Sequence, residues 1–66
     1  MKNKPTHTAL YGQRNAACFR TRLYQDGAYW VNENGAKFFI TDGALAYSKY
    51  GECDLYLDFR TMTELS

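Results

Sequence analysis

"DGAYWVNENGAKFFITDGALAYSKYG", residues 26–51, places glycines at positions 27, 35, 43 and 51, each eight residues after the last. The residue before each is Asp26, Asn34, Asp42 or Tyr50. Asp-Gly and Asn-Gly between apolar runs are strong hairpin signals, because two-residue turns need a positive φ that these residues tolerate. The segments between them are of ordinary strand length. The spacing predicts strands near 17–25, 28–33, 36–41, 44–49 and 52–60, with turns at 26–27, 34–35, 42–43 and 50–51. The fold class that follows is mainly β: an antiparallel β-meander of about five strands, as an open sheet or a small barrel. Tyr50-Gly51 is the weakest of the turns, since tyrosine disfavours positive φ.

A short helix competes over 42–50, within "TDGALAYSKYG", with Thr41 or Asp42 as N-cap and Gly51 just past the end. Its apolar stripe is poor, because helical spacing groups Ala46, Tyr47 and Tyr50 and throws Leu45 to the other side. The strand reading is preferred.

Two-residue turns also predict which residues face one another. One cross-strand row reads Leu23, Trp30, Phe39, Ala46, Leu55, and the next Tyr24, Tyr29, Ile40, Leu45, Tyr56. A third holds Arg22, Val31, Phe38, Tyr47 and Asp54. A fourth sets Arg20 opposite Glu33 and Lys49 opposite Glu52, as sheet pairing prefers. The first row, with Phe19, Ala28, Ala44, Cys53, Leu57 and Phe59, reads as the core face. The opposite face carries tyrosines around Val31, Phe38, Ile40 and Leu45. Both faces are apolar, and the N-terminal segment is expected to pack on one of them, by helix or by strand.

The 66 residues suffice for one domain: a basic N-terminal segment at 1–16, the meander at 17–60 and a tail at 61–66. A core this small seldom supplies more than ~3–5 kcal/mol, so help from oligomerisation or a partner is expected. With 45% hydrophobic and 17% aromatic residues, disorder is not expected. Net charge is +1, unevenly spread: residues 1–22 carry five basic side chains and no acid, and residues 23–66 carry three against seven acids. A basic N-terminus suits nucleic acid or an acidic partner, and equally a merely solvated segment. The sequence shows neither a signal-peptide apolar core nor a membrane-spanning run, so a cytoplasmic location with no membrane contact is expected. Cys18 and Cys53 are then expected to be thiols, although a pair on neighbouring strands would be open to oxidation.

The residues offer little catalytic chemistry. His7 is the one histidine, and near the chain start it reads as frayed and solvated. Two cysteines without a C-x-x-C spacing do not make a zinc site. Cys53, alternating with Leu55 and Leu57, reads as a small buried hydrophobe. Asp54 and Asp58, four strand residues apart, would stand roughly 13 Å from one another, too far for paired acid/base carboxylates. The expectation is no enzyme, no cofactor and no metal. "YWVNENGAKFF" resembles, over that stretch alone, the aromatic, glycine-punctuated repeats of choline- and glucan-binding cell-wall modules. The period differs, and nothing is carried over from them.

The tyrosine face remains. Tyrosine and arginine are the residues most enriched at binding hot spots. Tyr24, Tyr29, Tyr47, Tyr56, Arg20 and Arg22 are therefore the candidate partner-binding residues. They suggest a non-enzymatic protein-binding module, gripping a protein partner or a second copy as a homo-oligomer. A chain of this size suits a phage or mobile-element accessory protein, such as an inhibitor of a host enzyme. The alternative is a single-stranded nucleic-acid binder, with bases stacked on Tyr24, Tyr29 or Tyr56 and phosphates held by Arg20, Arg22 and Lys37. The acids interleaved among those bases argue against it.

Overall fold

The computed structural model of the chain describes residues 4–49 and 51–65. They form six antiparallel strands and no helix: β1 His7–Gln13, β2 Ala16–Asp26, β3 Tyr29–Asn32, β4 Lys37–Phe39, β5 Leu45–Tyr47 and β6 Tyr56–Glu64. The sheet order is β5-β4-β3-β2-β1-β6. β2 to β5 are the first four strands of the expected meander. The short helix at 42–50 does not form: Leu45–Tyr47 is a strand, and Tyr50 lies outside the described residues.

Residues 1–16 were expected to cover a face of the sheet. Their described part instead enters the sheet edge to edge as β1. Its inward side chains are His7, Ala9 and Tyr11, opposite Leu23, Thr21 and Phe19 of β2. The β1–β2 turn at 14–15 has Asn15 at φ 60°, which asparagine tolerates better than most residues. The last strand also moves. It was expected beside 44–49, but β6 pairs with β1 across the sheet, with His7 opposite Glu64 and Tyr11 opposite Leu57.

β6 still touches the far end of the meander. Ala44 and Tyr56 form a bridge. Beside it, the Leu45 N–H donates to Leu55 O at 3.0 Å and the Leu57 N–H to Gly43 O at 2.9 Å. The sheet is thus open along most of its seam and stitched at one corner. A Cβ on Gly43 would lie 2.8 Å from Leu57 O, and Gly43 has φ +77°, so this crossing requires glycine twice over. Further along, residues 59–62 of β6 stand opposite Ala9 alone. Thr61 fills this bulge: its hydroxyl donates to Asp58 O at 2.7 Å and accepts from the Leu10 N–H at 2.8 Å. A bulge of this kind blunts a free sheet edge against unwanted pairing.

The two central hairpins differ from the predicted register. In β2–β3, Gly27 has φ 60° and leads a Gly27-Ala28 turn, so Leu23 faces Asn32 and Gln25 faces Trp30. That is a slip of two residues, which keeps every side chain on its expected face. In β3–β4 the loop has three residues, 33–35, with Gly35 at φ +83°, the arrangement of a turn followed by a left-handed glycine. The register there shifts by one, and one residue inverts a strand. Trp30 now faces Phe38, and Tyr29 faces Phe39. Phe38 is fully buried and Phe39 is 40% exposed. The expected assignment of Phe39 to the core and Phe38 to the outer face is reversed. In β4–β5 Leu45 likewise pairs with Phe38 and packs on the core.

The core is Ala9, Leu23, Trp30, Ala36, Phe38 and Leu57, with Tyr11, Ile40, Leu45, Leu55 and Met62 packed around it. His7 is part of this packing and not frayed: its ring meets Trp30 edge-on at 4.9 Å. Full burial of a phenylalanine contributes roughly 1.5–3 kcal/mol, a large share of what a chain this small holds. Phe38→Ala should therefore cost ~3–5 kcal/mol and largely unfold the protein. Phe39→Ala should melt within about 1 kcal/mol of wild type, as for an exposed site. Thermal melting of the two variants checks the register, and the reverse ranking would contradict it.

Candidate functional site

Alternation sends Arg20, Arg22, Tyr24 and Asp26 of β2 to the outer face of the sheet, with Tyr29, Val31 and Glu33 from β3 and its loop. Lys37 and Phe39 of β4 and Tyr47 of β5 join them. Two rows cross this face: Tyr24–Val31–Lys37–Tyr47 and Asp26–Tyr29–Phe39.

This surface partly covers itself. Val31 is 4% exposed although it points away from the core, lying in the row between Tyr24 and Lys37. Tyr24 and Tyr29 are half-buried. The Tyr29 and Phe39 rings stand 5.6 Å apart, and Lys37 Nζ lies 5.7 Å from the Tyr29 ring centre. Such tilted ring pairs and cation–ring contacts give about 0.5–1.5 kcal/mol each, so they hold the aromatic face in one shape. Phe39 at 40% and Tyr47 at 54% remain the most exposed of these rings. Arg20 and Arg22 are exposed beside them. Glu33 does not sit opposite Arg20 as expected. Its carboxylate accepts from the Arg22 N–H at 3.4 Å, a consequence of the two-residue slip.

Tyr56 does not belong to this cluster. It pairs with Gly12 and bridges Ala44, and so stands in neither of those two rows. Arg14 lies over its ring at 4.9 Å and donates to its hydroxyl at 3.3 Å. The expectation that Tyr24, Tyr29 and Tyr56 share a row fails twice: the two-residue slip parts Tyr24 from Tyr29, and β6 crosses to β1. Phe39 is the member of the outer face that sequence reasoning missed, and Lys37, named there as a phosphate contact of the alternative reading, stands beside it. The signal that would have found Phe39 is the Asn32 side chain, which favours a longer loop over a two-residue turn.

Tyr56 and Arg14 instead line a cleft of about 380 Å³ with Asn15, Asp42, Asp58 and Arg60. Two acids and two bases balance there. Asp58 accepts from Arg60 Nε at 3.2 Å. That side-chain hydrogen bond holds the Asp58 carboxyl below the ordinary aspartate value and pushes Arg60 up. Asp42 Oδ1 accepts from the Ala44 N–H at 3.0 Å, so it organises its own loop. Among the described residues no three His, Cys, Asp or Glu side chains converge as metal ligands. Cys18 and Cys53 are free thiols and both exposed, so Cys53 is not the buried hydrophobe its alternation suggested. No helix among the described residues is long and apolar enough to cross a membrane. Against known proteins, the chain gives no significant match to a family model, a curated protein or a solved structure.

The Asp58–Arg60 pair has a signed consequence. A carboxyl whose folded pKa is depressed adds stability above its unfolded value of about 3.9 and loses it as pH falls through the lower folded value. Arg60→Gln should flatten that acid limb and leave melting near neutral pH almost unchanged, since the pair is exposed. Melting curves collected from about pH 5 down to pH 2 check it, and an identical acid limb in both proteins would contradict it.

Proposed function

We propose that the chain is a non-enzymatic protein-binding module whose contact surface is the outer face of β2–β5. Phe39 and Tyr47 are its exposed anchors, Tyr24 and Tyr29 its half-buried base, and Arg20, Arg22 and Lys37 its basic flank. The observation that carries this reading is the pair of rings at 40% and 54% exposure beside a face rigid enough to bury Val31. Rigid aromatic contact area next to arginine is what binding hot spots are made of, because little side-chain entropy is lost on docking. Tyr56 drops out of the contact surface on the same reasoning, since its ring already holds Arg14 and stands in neither row of this face.

A specific feature also favours a second reading. The β6 acid Asp58 is paired with Arg60. The acids that remain on the aromatic face are Asp26 and Glu33, against Arg20, Arg22 and Lys37. Bases stacking on Tyr29 or Phe39 with phosphates on Arg20, Arg22 and Lys37 would make this face a single-strand platform.

One set of variants tests both. Phe39→Ala and Tyr47→Ala should keep the melting temperature near that of wild type and weaken capture of a protein partner by roughly 30-fold, about 2 kcal/mol. Partner capture unaffected by either substitution would remove the proposed surface. A single-stranded oligonucleotide that binds with a steep loss of affinity as salt rises would favour the second reading, and no oligonucleotide binding at low salt would dismiss it.

A further inference from the structure

We propose that Asn34-Gly35 is a latent self-modification site, closed in the folded protein and opened when the β3–β4 loop melts. The reaction is cyclisation of an asparagine onto the backbone nitrogen that follows it. Gly35 N, on losing its proton, bonds to Cγ of Asn34. The Cγ–Nδ2 bond breaks, and the amide leaves as ammonia with that proton. Water then opens the cyclic imide on one side or the other, leaving aspartate or isoaspartate at position 34. Water is the sole co-reactant. Glycine is the most permissive residue for the second position, having no side chain to hinder approach, and this is the one Asn-Gly pair in the chain.

Geometry on the page both offers the site and shuts it. Asn34 is exposed at the loop tip. The attacking nitrogen is occupied, because the Gly35 N–H donates to Asn32 O at 3.0 Å. The Asn34 N–H is pinned as well, donating to Asn32 Oδ1 at 3.0 Å, and the Ala36 N–H donates to the same oxygen at 2.9 Å. Asn32 is 4% exposed, so a single buried residue latches the reacting pair through both its carbonyl and its side chain. A nitrogen whose proton is held by an acceptor is harder to deprotonate, and a pinned backbone cannot turn its nitrogen onto the neighbouring side chain. Loop opening removes both restraints, and such openings occur below the energy of global unfolding.

The product would not be silent. Isoaspartate threads the chain through an extra side-chain carbon and adds a carboxylate next to Glu33. The loop is three residues long and decides whether Phe38 or Phe39 is buried. A lengthened loop weakens that choice of register. Modification thus turns a transient opening into a permanent loss of core packing.

The test is to incubate the folded chain in neutral buffer and follow the amide-to-acid mass change at residue 34, with isoaspartate detected separately. The expected order of rates is denaturant-unfolded wild type first, then folded Asn32→Ala, then folded wild type. Asn32→Ala should exceed folded wild type by roughly 5-fold or more, since it removes both hydrogen bonds accepted by Asn32 Oδ1 and one alone is worth about that factor. Should Asn32→Ala not fold, wild type in rising sub-denaturing urea replaces it, with hydrogen exchange at the Gly35 amide measured alongside. Conversion should then rise in step with amide opening. Folded wild type converting as fast as the unfolded chain would overturn the proposal, and so would a conversion rate indifferent to loop opening.

Discussion

The burial of Phe38 and the exposure of Phe39 depend on one carboxamide. Asn32 is buried with its side-chain oxygen accepting from the Asn34 and Ala36 N–H groups. A buried polar group left unpaired costs about 1–3 kcal/mol, so Asn32 enforces the loop that satisfies it. That loop is three residues long, with Gly35 taking the left-handed position at φ +83°. An odd loop length sets Phe38 against Trp30 and turns Phe39 outward. A two-residue turn at the same Asn-Gly would have exchanged the two phenylalanines. The core and the outer surface are therefore both selected by the pairing of a few polar atoms, although hydrophobic burial supplies most of the energy.

The glycine spacing made the meander legible because turn chemistry is local: Gly27, Gly35, Gly43 and Gly51 all have positive φ. Loop length was not legible from glycine position alone. A glycine serves equally at the first position of a two-residue turn, as Gly27 does, or at the end of a three-residue loop, as Gly35 does. The slip of two at Leu23–Asn32 preserved faces, and the slip of one at Trp30–Phe38 reversed them. Tyr24, Tyr29, Tyr47, Arg20 and Arg22 consequently stand on the expected outer face, and Phe39 joins them unannounced. Tyr56 was misplaced for a different reason. Its neighbour depends on β1, and "HTALYGQ" has no glycine turn of the expected kind after it: the chain reverses at Asn15 with φ 60°. Pairing between residues some fifty positions apart is a property of the whole sheet and leaves no local mark.

The path of β6 also shows how so small a sheet limits its edges. Its start is stitched to the far end of the meander through Gly43 and Leu45, and its middle is bulged around Thr61. A fully closed barrel would remove the edges, and an open flat edge would invite pairing with other chains. This fold stands between the two, with a closed corner and a blunted seam. The polar atoms of Thr61 supply the hydrogen bond that the interrupted ladder cannot give to Leu10.

The outer face follows from the same economy of material. Val31 is buried in the row between Tyr24 and Lys37 without a second layer, so part of what looked like an unpartnered apolar surface is already covered. The energy of this cover is modest, since a few ring and cation contacts of about 0.5–1.5 kcal/mol each cannot replace a packed layer. Its effect is to immobilise the base on which Phe39 and Tyr47 stand. An exposed ring on a mobile loop loses side-chain and backbone freedom when it docks, at a cost of about 0.5–1.5 kcal/mol for each ordered side chain. A ring held at 5.6 Å from Tyr29, as Phe39 is, has already given up much of that freedom on folding. The register that drives Phe38 inward thus pre-orders the exposed ring of the proposed contact surface. Stability and the proposed contact surface rest on adjacent positions of one three-residue strand.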